Sequence, residues 1–288
     1  MPLALFDAHC DTIWRCWADG CSIHSEHLSN CIDRADDYSP YTQVYALWTD
    51  KGGYARYQAL LAKAKQELKD ARNGYLLSIE GAEGIDCDIK KLKQAYDDGV
   101  RAINLCWNYD NVLAGSAAGS GIGLMTQGRD FVGACEVIGV IPDMSHISEK
   151  AFWDVLEIAK KPVIASHSDS RALCDVPRNL TDDQFRAITA MGGCVGLNFY
   201  KGFLGLTENI AAVVAHAEHF LSLGGQKSLG LGSDFDGCDL PEDIQGVQDV
   251  GKIYEAMLRQ NWPEDLVRDI FYNNFKRVFD EYPGIRKE

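Results

Sequence analysis

Phe6-Asp7-Ala8-His9-Cys10-Asp11-Thr12 closes the first apolar run of the chain, and both the fold and the chemistry turn on how it is read. If residues 3–8 form a buried strand, side chains alternate between its faces, so His9 and Asp11 leave the strand end on one side, two residues apart. A neutral imidazole and a carboxylate then converge on one point. That arrangement suits a divalent ion such as zinc, whose nitrogen and oxygen ligands sit about 2 Å from the metal. A capping aspartate beside a histidine satisfied by backbone would show the same residues, so the rest of the chain has to decide.

Seven further short apolar runs follow, at 43–48, 75–79, 102–105, 137–142, 162–165, 194–198 and 229–232. They are rich in Val, Ile and Leu without clean polar alternation, as strands buried on both faces of a parallel sheet are. Helical patterns lie between them. Apolar residues recur at helical spacing over 54–72, with Lys and Glu on the other face. Ser148 ahead of Glu149-Lys150 opens a helix that ends before Lys160-Lys161-Pro162, and Thr181-Asp182-Asp183-Gln184 has the form of a capping box ahead of a helix to Met191. A helix over 211–223 ends at Gly224-Gly225, Pro263-Glu264-Asp265 opens another, and 273–281 forms a closing one. Eight strands alternating with helices predict an α/β fold, a (β/α)8 TIM-type barrel, as a single domain over 1–288. No Gly-x-Gly-x-x-Gly follows the first strand, which removes support for a dinucleotide-binding sheet. The glycine-rich stretch 115–123 lacks the Gly-Lys-Ser/Thr ending of a phosphate loop and is expected to be a flexible active-site loop.

Composition narrows the partners. With 46% hydrophobic and 24% charged residues and only short apolar runs, the chain reads as a globular protein with no membrane-spanning segment. A net charge of -14 and the lack of any basic stripe argue against a nucleic-acid partner. The first eight residues carry neither a basic region nor an apolar core of signal-peptide length, so a cytoplasmic location is expected. The ten cysteines include no Cys-x-x-Cys pair and read as reduced, mostly buried thiols.

Barrel enzymes place their sites at the C-terminal ends of the strands, which makes the polar residues directly after each run the ones to examine. These are His9 and Asp11 after the first, Glu80 after the third, Asp143 and His146 after the fifth, His167 after the sixth, and Asp234 and Asp236 after the eighth. Each has a structural alternative: Glu80 as a helix cap, His146 and His167 as buried structural histidines, Asp236-Gly237 as a turn. Three histidines at strand ends on one rim favour a metal site over those alternatives. Asp234 stands closer to its strand end than Asp236 and is the better catalytic candidate. The other four histidines, His24, His27, His216 and His219, sit in a polar loop and on a helix and read as structural. Charge supports a metal as well. Asp11, Glu80 and Asp234 converging without one would repel, and at least one would bind a proton, whereas two divalent ions and a shared hydroxide bring the set near neutrality.

The set His9-x-Asp11, Ile79-Glu80-Gly81, Ser145-His146, Ser166-His167-Ser168 and Gly232-Ser233-Asp234-Phe235-Asp236-Gly237 resembles the renal (membrane) dipeptidase family, binuclear zinc peptidases of the amidohydrolase-type barrel. The resemblance runs to Asn274-Phe275-Lys276-Arg277-Val278, almost the whole chain. It implies two zinc ions, one held by His9, Asp11 and Glu80 and the other by Glu80, His146 and His167. It also implies a dipeptide substrate whose carboxylate is gripped by Arg178, with Tyr200 beside it in the pocket. One departure concerns the fourth strand, where Trp107 in Asn104-Leu105-Cys106-Trp107-Asn108 stands at the position of a family histidine that polarises the scissile carbonyl. Indole donates one hydrogen bond and carries no charge. That role then passes to Asn108 or to zinc alone, or substrate preference has changed. The chain is shorter than the secreted animal enzymes, which points to an intracellular bacterial-type member.

On this reading a metal-bridging hydroxide, formed from water whose pKa two zinc ions lower from 15.7 toward about 7, attacks the peptide bond of a dipeptide, with a D-residue at the C-terminal position as one option. Asp234 shuttles the proton. The alternatives are a binuclear hydrolase of lactones, cyclic amides or phosphate esters, and a metal-bearing binding protein without catalysis. Oligomeric state, a homodimer included, is left open.

Overall fold

All eight apolar runs form strands: β1 Leu3–Cys10, β2 Tyr38–Trp48, β3 Gly74–Glu80, β4 Val100–Asn104, β5 Ile141–Asp143, β6 Ile164–Ala165, β7 Cys194–Leu197 and β8 Leu229–Leu231. In a computed structural model that describes residues 2–69, 71, 73–205 and 207–282, every neighbouring pair is parallel, and β8 returns to β1 to close the barrel in sequence order. Helices lie between the strands, so the fold is the expected single-domain (β/α)8 barrel.

The barrel interior is filled by one inward residue from nearly every strand. Phe6, Val44, Ala102, Ile141, Ile164 and Cys194 form a buried cluster with Phe275, Val278, Phe279 and Tyr282 of the closing helical segment, which plugs the bottom. β8 contributes Gly230 to this layer, where a Cβ would lie 2.3 Å from the Phe275 ring, so the glycine makes room for the plug. Phe6 stacks on Phe275 at 5.8 Å. Phe275→Ala is therefore expected to destabilise the fold by about 3–5 kcal/mol, read as a lowered urea midpoint with the transition slope unchanged.

Continuing upward by twos, β3 brings Glu80 to the mouth in the same inward phase as Leu76 and Ser78. β1 needs a shift to do likewise. Phe6 and Ala8 belong to the inner cluster and Cys10 to the outer one, and the register with β2 slips between Asp7 and Cys10. That irregularity turns the odd-numbered His9 and Asp11 inward above even-numbered interior residues.

Helix signals are met closely. Ser148 accepts from Ala151 N and caps Glu149–Leu156, and Thr181 and Gln184 make the reciprocal capping box of Asp182–Ala190. Several boundaries differ: β2 begins at Tyr38, five residues before the expected start, and the helix from Glu149 stops at Leu156, short of Lys160. Val137 and Ile138 end the helix Thr126–Ile138 instead of opening β5, and Val137 is 86% exposed. Gly139, in the left-handed region at φ +99, ends that helix before the strand begins. The helix expected over 54–72 is Gly53–Glu67, and Arg72 lies outside the described residues. The 115–123 stretch is tied down by the Asp110 carboxylate, which accepts from Ser116 N at 2.8 Å and Ser120 N at 3.0 Å, and Ala118 reaches the active-site cavity. Among the described residues, no helix is long and apolar enough to cross a membrane.

Candidate metal centre

Six side chains from the first, third, fifth, sixth and eighth strand ends meet at the barrel mouth. Their backbones are fixed by buried hydrogen bonds that join one strand end to the next. Asp7 Oδ1 accepts from Ser233 N at 2.8 Å and His9 N at 3.3 Å, while His9 O accepts from Asp234 N at 3.1 Å, so β1 and β8 carry their polar residues as a unit. Asp143, counted among the rim residues, turns away from that role. Its Oδ1 accepts from Ser145 N and Ser166 N, both at 3.0 Å, which locks the loops carrying His146 and His167 together. His146, Asp234 and Asp236 all adopt positive φ, at 75, 61 and 66°. Such conformations in non-glycine residues cluster at functional sites because the surroundings must hold them. Gly237 completes the turn, since a Cβ there would fall 2.1 Å from Asp11 Oδ2 and 2.8 Å from Asp234 Oδ1.

The donor atoms come within about half an ångström of ligand-to-ligand spacing. Two ligands about 2.1 Å from one ion lie about 3.0–3.5 Å apart for angles between 90° and tetrahedral. His9 Nε2 is 3.5 Å from Asp11 Oδ2, 3.8 Å from Glu80 Oε2 and 3.9 Å from Asp234 Oδ1. His146 Nε2 is 2.8 Å from Glu80 Oε1 and 2.9 Å from His167 Nε2. Ligand atoms of His9, Glu80 and His167 lie within 4.8 Å of one another, as do those of His9, Asp11 and Asp234. Glu80 is thus central, with one oxygen toward His9 and the other toward His146.

Two observations test whether these residues suit metal ions. His9 Nε2 and Asp11 Oδ1 are buried without a hydrogen-bond partner, a costly state for polar atoms unless something else satisfies them. His146 and His167 direct unprotonated-capable nitrogens at each other, and each has its second nitrogen fixed: His146 Nδ1 at 2.9 Å from Asn108 Oδ1, His167 Nδ1 at 2.7 Å from Ser166 Oγ. A metal-binding imidazole is oriented in the same way, through its other nitrogen. The donor set fits one or two divalent ions.

Electrostatics agree. Burial, with Arg178 and His9 adding to it, holds His146 and His167 well below the usual histidine pKa and therefore neutral. Burial, reinforced by Asp11, pushes Glu80 well above the usual carboxylate range against the pull of His9, and Asp234 is raised by burial in the same way. Burial opposes a charge on His9, yet Glu80, Asp11 and Asp234 together push its pKa up to about 10. The three carboxylates draw positive charge into the site, which a divalent cation would supply.

The predicted substrate residues surround this cluster in a cavity of about 700 Å3. Arg178 extends its guanidinium over the Phe203 ring at 5.4 Å and donates to His167 O at 3.5 Å. Tyr200 packs edge-on against Phe203 at 4.8 Å. Trp107 lines the same cavity 6.3 Å from His146, ring to ring, and Asn108 touches the His146 imidazole as well as the cavity. Asn108→Ala is expected to weaken divalent-metal binding about 10- to 100-fold, measured by competition with a chromophoric chelator.

A sequence model of the membrane dipeptidases, peptidase family M19, matches residues 41–288. The chain belongs to the membrane dipeptidase family. Membership places it among metallopeptidases, hydrolases of peptide bonds. It is 35% identical over 213 residues to an uncharacterized protein in the pqqA 5′ region of Klebsiella pneumoniae, a match spanning 69% of this chain and 79% of that one. It is 31% identical to dipeptidase tcpJ of Claviceps purpurea over 92% of this chain, but the match spans only 65% of the fungal protein. A crystal structure of a metallopeptidase from Rhodobacter sphaeroides, liganded with a phosphinate mimic of the dipeptide L-Ala-D-Ala, superposes with a TM-score of 0.85 at 22% identity, covering 97% of this chain and 99% of that one. That likeness shows a shared fold.

Other polar residues of this membrane dipeptidase site escape a reading by strand ends. Asn198 Nδ2 donates to Asp234 Oδ2 at 3.1 Å while its backbone N donates to the buried Asp169 carboxylate at 3.2 Å. Asp236, read as a turn residue, also accepts from Thr12 Oγ1 at 2.7 Å and Ser29 N at 2.6 Å, clamping the first helix and its loop to β8. Asp7 offered one signal, a carboxylate inside an apolar strand. Of the four remaining histidines, His216 is fully buried, accepting from Ser170 N at 3.0 Å, and His219 pairs with Asp182 at 2.7 Å. His24 and His27 lie at the surface near Asp33 and Asp19.

Proposed function

We infer that this chain hydrolyses the peptide bond of dipeptides with two zinc ions, one held by His9, Asp11 and Glu80 and the other by Glu80, His146 and His167. The observation that carries this is the pair of orphaned buried atoms, His9 Nε2 and Asp11 Oδ1, facing a glutamate whose two oxygens point to separate histidine groups. Bound zinc supplies Lewis acidity at the scissile carbonyl and a water acidified from 15.7 toward about 7. Asp234, steadied by Asn198, takes the proton of the attacking water and returns it to the leaving amine. Arg178 pairs with the free carboxylate of the substrate through its planar fork, which confines the enzyme to short peptides. Tyr200 closes the pocket on that side. Trp107 cannot serve as a charged electrophile, whereas Asn108 turns its oxygen to His146 Nδ1 and keeps its amide N–H groups for the scissile carbonyl, beside the Lewis acidity that zinc would supply. A D-residue at the C-terminal position is an accepted substrate on this reading, supported by the L-Ala-D-Ala mimic bound by the Rhodobacter protein. Ten free cysteines suit a reducing, cytoplasmic setting. A dipeptide library with L- and D-residues at the second position, run on zinc-loaded protein beside a set of lactones, tests the proposal. Peptide hydrolysis is the expected result, and lactone turnover without it would overturn the assignment.

A further inference from the structure

The cavity has one wall that metal ligation and carboxylate binding leave unexplained. Trp14, Trp48 and Trp107 line it in series. Trp14 meets Trp48 at 5.0 Å and 70°, and Trp48 meets Trp107 at 4.9 Å and 57°. Trp107 in turn stands edge-on to Tyr109 at 5.7 Å. Such tilted and edge-to-face contacts lock large rings into one rigid surface.

The wall has a fixed relation to the reacting centre. Trp48 ends β2 and pairs in register with Glu80, and Trp107 has its backbone N bonded to Glu83 Oε1 at 3.3 Å, with its neighbour Asn108 on His146. In a closed eight-strand barrel, β2 lies opposite β6. Arg178 belongs to the segment after β6 and touches His167 O. A dipeptide whose carboxylate reaches Arg178 and whose scissile bond lies over the ligand cluster must therefore extend its N-terminal residue toward the indoles.

Resting on the dipeptidase reading, we propose that Trp14, Trp48 and Trp107 form the pocket for the N-terminal side chain and select dipeptides that begin with an aromatic or large apolar residue. The selecting force is removal of apolar surface from water against a preformed aromatic wall. Trp107 completes the wall on the side of His146, 6.3 Å away ring to ring.

The test uses zinc-loaded protein and four substrates with an achiral second residue: Phe-Gly, Leu-Gly, Ala-Gly and Gly-Gly. In the unmodified chain, kcat/KM for Phe-Gly is expected to exceed that for Gly-Gly by at least about tenfold, the scale set by lost apolar contacts in a binding pocket. In Trp107→Ala and in Trp48→Ala the Phe-Gly to Ala-Gly ratio is expected to fall about tenfold, and Trp107→Phe is expected to keep it within about threefold. The ratio does not depend on what fraction of a variant is folded. A flat profile across the four substrates, or a ratio unmoved in both alanine variants, overturns the wall and leaves the dipeptidase assignment standing. Failure to cleave any of the four by protein shown to contain zinc overturns that assignment instead.

Discussion

Asp234→Asn is expected to keep its metal and its fold while kcat falls about 10²- to 10⁴-fold, the range a positioned proton carrier contributes. Asparagine is nearly isosteric and tolerates the left-handed conformation found at residue 234. Its amide oxygen can still accept from Asn198 Nδ2, so the turn between Ser233 and Gly237 persists. What it cannot do is accept a proton. Metal analysis of the purified variant beside steady-state kinetics separates the two effects. A kcat close to that of the unmodified chain would remove Asp234 from the mechanism, and loss of metal would make it a ligand, a role its 3.9 Å approach to His9 Nε2 permits.

Chelation is expected to abolish turnover and to make the stability of the protein fall more steeply as pH rises above neutrality. In the metal-free site His9 is pushed up to about 10 from its ordinary 6.5 by Glu80, Asp11 and Asp234, against burial. Its folded pKa lies above the unfolded one, so its contribution is complete below about 6.5 and disappears as pH rises through about 10. Glu80 and Asp234, both raised by burial, act in the same sense, because the folded chain releases their protons later than the unfolded chain does. His146 and His167, held neutral, act in the opposite sense and only toward acid pH. Thermal melts of chelated protein should therefore lose stability more steeply than those of metal-loaded protein, whose His9 has no proton to lose, between about pH 7 and 8, below the range where the buried thiols, raised by burial, add the same slope to both forms. Equal slopes with and without chelator would show that the cluster does not hold metal.

The sequence carries the barrel and the outline of its site, and the reason is local. His9 and Asp11 lie in one strand end, Glu80 follows its strand without a gap, and His146 and His167 stand directly after short buried strands, so adjacency in sequence matches position on the rim. What was not legible depends on closure. Asp7 bonds to Ser233 across 226 residues, Asp236 to Ser29 across 207, and Asn198 to Asp234 across 36, and none of these pairs has a local pattern. The tryptophan wall is hidden for the same reason, because Trp14 lies in the helix after β1, Trp48 ends β2 and Trp107 follows β4. The start of β5 is not legible in sequence because Val137 and Ile138 continue an apolar run through Gly139, and only the left-handed glycine separates helix from strand.

Anomalous diffraction at the zinc absorption edge, collected from crystals of the purified protein, tests the central claim most directly. Two peaks are predicted, one bounded by His9, Asp11 and Glu80 and the other by Glu80, His146 and His167. No anomalous density among these five side chains, or a single peak with Glu80 contacting only one side, would contradict a binuclear centre.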